Sequence, residues 1–455
     1  MGKTKVRQST PSLFEEVTPA TDELRPVHDL RSRLKSIHNY IYANDRFKQH
    51  AKVFEELMKL LFAKVYDEKR GLGEFTANGD EGEHIRRLFR SAASDGDMTG
   101  VFADGEKLEL APRTIVYAAE QLRTVCLAET DAKGAAFQAI LGPQIRGEKG
   151  QFFTPDPVKR LLAAITDPEP DDITLDPSCG SAGLLVSSVE HMRTKAKPAA
   201  VKRYAQQNVI GVEIDPTLVR VARLNMMMHG EGRSRVFSCD ALSSWSVLAA
   251  ASDGVLTEES VTVVMTNPPF GTKGKVDDPK ILSGFPNVAA NRDRQVPDIL
   301  FLERIMQWLK PGGRAGVVLP YGDLANASLG YVREYLRTVG HIYAVVSLPP
   351  AAFKPSENSV KAAVLFIRKW AKKGKPTRYP TFRAISRKIG YDMHERVTYL
   401  RDTSGQYLDV DRNPLPAAKA KDPEWLAANG VVDEDISDII QQWTAFRAEH
   451  KEYLW

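Results

Sequence analysis

Cysteine is nearly absent: Cys126, Cys179 and Cys239 are the only three in 455 residues. An odd number at wide spacing gives neither a disulfide framework nor the four paired ligands of a structural zinc site, so a reducing cytoplasm and no metal are expected. Long apolar runs are missing too. None approaches the roughly 20 residues that cross a bilayer, and the polar, basic start has no apolar centre of a signal peptide. Gly2 occupies the position of a myristoylated residue, but Val6 stands where Ser or Thr is wanted. Charge of one sign is also in short supply. With a net charge of only +4, any affinity for nucleic acid must come from local clusters of Lys and Arg. What the chain has is apolar material, 43% of its residues, enough for the cores of two or three domains.

Residues 1–27 mix Thr, Pro, Ser and charge without periodicity and read as a flexible tail. From residue 28 the pattern turns helical, with Phe54, Leu57, Leu61 and Val65 at steps of three or four. Further helices are expected over 85–94 and after Pro112, which makes 28–145 a helical domain. Beyond Gly150 the texture changes to short Val- and Ile-rich runs between Gly, Pro and Asp. Strands are expected at 173–175, 209–213, 236–238, 261–266, 316–319, 341–347 and 361–367. Their alternation with helices predicts an α/β domain over 146–375 with a doubly wound parallel sheet. Residues 376–455 read as a basic, irregular connector and a Trp-bearing helix over 433–455. That helix suits a partner or its own domain equally well. No internal repeat stands out.

Four segments follow successive strands. Residues 175–183 (LDPSCGSAG) end a strand in small residues, and Gly180, Ser181, Ala182 and Gly183 obstruct a ligand little. Taken alone this is weak evidence, with a purely structural tight turn as the alternative. In 211–215 (GVEID), Glu213 ends the next strand and can accept bonds from two vicinal ribose hydroxyls, although acids at strand ends are often merely solvated. Asp240 in 238–241 (SCDA) can accept from the amino group of an adenine. Last comes 266–271 (TNPPFG), after the apolar run 261–265. Pro268 and Pro269 fix two φ angles and remove two donors, leaving nearby carbonyls as acceptors. The exocyclic amine of adenine is a poor nucleophile because its lone pair is delocalised. Acceptance of its two hydrogens by the Asn267 side chain and the Pro268 carbonyl draws the nitrogen toward tetrahedral geometry. Phe270 offers a face on which an extruded base stacks.

These residues together resemble the amino-methylating DNA methyltransferases, in particular the modification subunits of type I restriction systems. The likeness covers about residues 30–370. Gln151, Phe152, Phe153, Thr154 and Pro155 look like that family's segment closing over the methionine part of S-adenosylmethionine. Asp176, Ser178 and Gly180 to Gly183 resemble its cofactor loop, Glu213 with Ile214 its ribose-binding strand end, and Asp240 with Ala241 its adenine contact. Asn267, Pro268, Pro269 and Phe270 resemble its catalytic tetrapeptide. Looser matches are Pro297 with Asp298, the stretch 310–314, and Leu348-Pro-Pro followed by Phe353.

The resemblance implies a Rossmann-like methyltransferase domain with an N-terminal helical domain and a short C-terminal helical extension. It also implies methylation of N6 of adenine in double-stranded DNA by base flipping. About 80 residues after the α/β domain are too few for two base-reading domains, so a separate DNA specificity subunit is implied, with room for a restriction or translocase subunit. The stretch 361–388 has many Lys and Arg but no Asp or Glu. Within it Lys369, Lys372, Lys373, Lys375 and Arg378 are candidates for phosphate contact, with a solvated basic loop as the alternative. Two other readings stay open: a protein glutamine N-methyltransferase, in which Tyr typically replaces Phe270, and a cofactor-binding scaffold without turnover in a defence complex.

Overall fold

Short apolar runs without polar alternation, such as 209–213 and 261–266, are what a strand covered on both faces requires. The computed structural model describes residues 28–77, 80, 82–95, 102, 105–127, 154–229, 235–270, 274–353, 361–371, 378–394 and 396–454. These fall into two compact units, one within 1–95 and 104–140, the other within 96–103 and 141–455. The tail expected at 1–27, together with Gln151, Phe152, Phe153, Lys372, Lys373 and Lys375, lies outside the described residues.

The first unit contains helices at His28–Asn44, His50–Arg70, Glu83–Ser94 and Pro112–Leu122. Phe54, Leu57, Leu61 and Val65 are all buried, as their spacing requires. The first two helices are separated at Asp45. Its carboxylate accepts from the amides of Arg46 and Ala111, both at 2.9 Å, a local alternative to continuing the helix.

In the second unit eight strands form one sheet in the order β3-β2-β1-β4-β5-β7-β6-β8. They are β1 (Thr174–Asp176), β2 (Val209–Glu213), β3 (Arg235–Ser238), β4 (Val261–Thr266), β5 (Leu309–Pro320), β6 (Gly340–Ser347), β7 (Ala362–Lys369) and β8 (Phe382–Ile385). Side chains alternate across the sheet. Val264, Val317, Leu319, Leu365 and Ile367 join a core that includes the Pro297–Trp308 helix. Val263, Met265, Val318, Val364 and Phe366 face the opposite core with Val158, Leu161, Leu162 and Ile165 of the Asp156–Thr166 helix. Burying each such side chain stabilises the fold by about 1.5–3 kcal/mol.

The sheet is not wholly parallel, which corrects the sequence reading. β7 runs antiparallel to both β5 and β6. Ser347 at the end of β6 is opposite Ala363 at the start of β7, so the connection returns at the same edge and makes a hairpin rather than a crossover. The connector expected to be irregular also carries a strand. β8 adds a further parallel strand beside β6, and the Ile436–Glu449 helix buries Ile436, Ile439 and Trp443 in its own domain's core. A structural repeat also stands where none was expected. Asp392, Asp402 and Asp409 each accept from the amides two and four residues on: His394 and Arg396, Ser404 and Gln406, Asp411 and Asn413. Each closes a turn between bridged residues, namely Tyr391 with Val397, Arg401 with Tyr407, and Leu408 with Pro414.

Candidate active site

Strand order reverses between β1 and β4, and in such sheets ligands bind at the carboxyl ends of the strands beside that point. Here β1 ends at Asp176 and the chain turns before the Gly183–Arg193 helix. Gly180 adopts φ +51° and Ala182 φ +65°. The glycine takes this left-handed conformation freely, whereas for alanine it costs about 1–2 kcal/mol, so surrounding bonds must hold the turn. Two of them do. The Gly180 amide donates to Glu213 Oε2 at 2.9 Å, and buried Asn225 donates from Nδ2 to the Ser181 carbonyl at 2.7 Å.

Glu213 is buried, and its Oε1 accepts from the Asp215 amide at 2.9 Å. Burial pushes its carboxyl pKa up, against the lowering effect of the amide bonds. With one backbone bond on each oxygen, lone pairs remain for two ribose hydroxyls. Ile214 beside it is 64% exposed, an apolar surface for a flat base. At the end of β3, Asp240 Oδ1 accepts from the Leu242 amide at 2.9 Å, and Ala241 is buried. Behind this turn, Arg304 donates to the Leu242 and Ser243 carbonyls and lies over the rings of Trp245 and Phe285. Thr154 and Pro155 lead into the Asp156–Thr166 helix, which packs on the Gly183–Arg193 helix.

The turn after β1 and the loop after β4 are joined directly. Ser178 Oγ is 2.8 Å from the Thr266 hydroxyl and donates to the Asn267 carbonyl at 3.3 Å. Asp176, fully buried below them, accepts from the Ser178 amide, and burial raises its carboxyl to about 7. Pro268 is buried and Pro269 exposed. Phe270 is half-buried and meets Phe353 edge to face, with ring centroids 5.9 Å apart. The side-chain oxygen of Asn267 is itself buried and has no hydrogen-bond partner among the described residues. Such an acceptor costs about 1–3 kcal/mol if left unmet, and an incoming N–H group would satisfy it.

Residues 130–401 match the family model for the N-6 DNA methylases. The chain belongs to that family. The matched span contains the turn after β1, Glu213, Asp240 and the Asn267–Phe270 loop. Among curated relatives, the type I restriction enzyme EcoEI methylase subunit of Escherichia coli is 31% identical over 253 residues, 54% of this chain and 47% of that protein. The StySPI methylase subunit of Salmonella potsdam is 27% identical over 228 residues, 48% of this chain and 40% of that protein. The matched part thus spans less than half the length of these curated relatives. The fold resembles a type I restriction-modification methyltransferase subunit from Streptococcus thermophilus, with TM-score 0.56, 16% identity, and coverage of 92% of this chain and 94% of that one.

Lys369 departs from its sequence reading as a phosphate contact. Because β7 is antiparallel, it carries Lys369 to the edge of the sheet opposite Asn267, where Lys369 pairs with Gly340 at the start of β6. Lys369 Nζ donates to the Met306 and Leu309 carbonyls, both at 2.8 Å, and to Glu259 at 3.1 Å. Its charge is used at the end of the Pro297–Trp308 helix rather than offered to phosphate. Exposed Arg378 precedes β8 at the same edge. Asn225, Thr266 and Asp215 were not singled out in the sequence. Asp215 did carry a signal, Asp followed by Pro216 at a helix start, and it accepts from the Thr217 and Leu218 amides. Among the described residues no helix is long and apolar enough to cross a membrane, and no cluster of three or more His, Cys, Asp or Glu could hold a metal.

Proposed function

We propose that this chain transfers a methyl group from S-adenosylmethionine to N6 of adenine in double-stranded DNA. In this reading it is the modification subunit of a type I-like restriction-modification assembly in the cytoplasm. The observation that carries the proposal is the buried, unpartnered Oδ1 of Asn267, joined through Ser178 to the turn tied to Glu213. The donor set suits an adenosyl cofactor: an acid for the ribose at the end of β2, an acid for the base amine at the end of β3, and an open turn between them and Asn267.

When bound, the cofactor supplies a methyl group on a positively charged sulfur. Asn267 Oδ1 and the Pro268 carbonyl accept the two hydrogens of the adenine amine and localise its lone pair. Phe270, braced by Phe353, stacks on the extruded base. Ser178 fixes the height of the loop, so the reacting atoms meet in line. The proton released from the amine passes to water.

In this reading a separate specificity subunit selects the sequence, and a restriction or translocase subunit would join the same assembly. The test is transfer of labelled methyl groups to unmethylated DNA, with peptide as the competing acceptor, with and without such a specificity subunit. Label on adenine N6 that is lost in Asn267→Ala, while cofactor binding persists, is the expected result. Label on peptide, or none on DNA even with the specificity subunit, overturns the reading.

A further inference from the structure

The strand order fixes how an adenosyl cofactor must lie. Adenine belongs at Asp240 on β3, ribose at Glu213 on β2, and the methyl group at Asn267 on β4. Since β1 lies between β2 and β4, the amino-acid tail passes over the turn after β1, which ends at Gly183. Beside that residue stands a lysine that neither the fold nor the proposed chemistry accounts for.

Lys159 lies in the Asp156–Thr166 helix, next to buried Val158, and it is only 8% exposed. A Cβ on Gly183 would come 3.3 Å from Lys159 Cδ and 3.6 Å from its Nζ. The glycine therefore makes room for the ammonium beside the turn. Among the described residues its ion pair is with Asp156, which is itself 66% exposed. Two of its three N–H donors have no partner among the described residues. The Gly183–Arg193 helix starts at the same place, and its N-cap residue, Ala182, supplies no side-chain bond to the first amides. A buried ammonium with spare donors beside uncapped amides favours an anion.

We propose that Lys159 binds the carboxylate of the cofactor's amino-acid tail. The proposal rests on the cofactor assignment above and adds to it a residue specific to the tail. It makes no claim on the adenosine half, so the two can fail separately.

The test compares binding of S-adenosylhomocysteine, its carboxamide and 5′-methylthioadenosine to the full chain by calorimetry. The unaltered protein should prefer the carboxylate to the carboxamide by about 10–100-fold, as expected of a charge-assisted hydrogen bond. In Lys159→Met that preference should vanish and 5′-methylthioadenosine should bind unchanged. Lys159→Arg should keep most of the preference, and it carries the test if the Met variant does not fold. Equal binding of carboxylate and carboxamide by the unaltered protein overturns the assignment, as does loss of all three ligands together in a folded Met variant. If none of the three binds the unaltered protein, the cofactor reading itself falls and takes this one with it.

Discussion

Ser178 Oγ lies 3.3 Å from the main-chain oxygen of Asn267. With its 2.8 Å contact to the Thr266 hydroxyl, this side chain couples the turn after β1 to the loop after β4. A change of about 1 kcal/mol in how that loop is held corresponds to roughly a fivefold to tenfold change in rate. Ser178→Ala should therefore slow single-turnover methyl transfer about tenfold and leave cofactor affinity within twofold. A parallel loss in both measurements would instead make Ser178 a ligand of the cofactor alone.

Glu213 has two duties that a single substitution removes together. Its carboxylate is the ribose acceptor in the proposed function, and it already accepts the amides of Gly180 and Asp215. Glu213→Ala should weaken cofactor binding about 100-fold and destabilise the unliganded protein by about 2–3 kcal/mol, because two amides lose their acceptor. Calorimetric titration and urea unfolding read the two effects separately. Asn267→Ala, which frees no amide and removes an unmet buried acceptor, should leave the unliganded stability unchanged or somewhat higher.

Much of this site was legible in the sequence because its chemistry is local. Glu213 and Asp240 stand at strand ends marked by Val and Ile, and Asn267 is followed by two prolines whose backbone effect is intrinsic. What was not legible depends on long-range packing. Asn225 looks like any polar residue in a helix until the fold brings Ser181, 44 positions away, to its amide. Lys369 reads as part of a basic run because nothing local announces that β7 is antiparallel and delivers it to the end of another helix. The turns at Asp392, Asp402 and Asp409 escaped notice for another reason. Their common element is one carboxylate accepting two amides, a pattern of bonds that leaves the intervening residues free to vary.

Asp176 makes stability depend on pH near neutrality. Burial raises its carboxyl to about 7, so the folded protein holds this proton more tightly than the unfolded chain. The contribution favours folding at acidic pH and fades as pH rises through about 7. Asp176→Asn removes the titration. Between pH 5 and pH 8 the unaltered protein should lose about 2–3 kcal/mol relative to the variant. Parallel stability curves from urea unfolding across that range would exclude a raised carboxyl at the end of β1.

Lys369→Met tests the reassigned basic stretch. The ammonium donates to the last carbonyls of the Pro297–Trp308 helix and the start of β5, a position where a cation also opposes the negative end of the helix. The variant should unfold about 1–2 kcal/mol more easily and bind DNA with an unchanged salt slope. A shallower slope at unaltered stability would return Lys369 to a phosphate-contacting role.

Asp167 ties the C-terminal helix to the catalytic domain, and its sign is opposite to that of Asp176. It accepts from His191 Nε2 and Arg447 Nη1, each at 2.7 Å, and from Lys195 at 2.5 Å. Burial alone would raise its pKa, but the hydrogen bonds from His191, Lys195 and Arg447 outweigh burial and hold the carboxyl well below the usual range. Stability from this group is therefore present above pH 4 and drains away as pH falls further. Asparagine tolerates the left-handed backbone found here, φ 43°, so Asp167→Asn removes the charge without straining the chain. The variant should be about 2 kcal/mol less stable at pH 7, and the gap should narrow between pH 4 and pH 3 because the unaltered protein is losing the same interaction. A gap that stays constant from pH 7 to pH 3 would mean that the Ile436–Glu449 helix is held by Ile436, Ile439 and Trp443 alone and that Arg447 adds nothing.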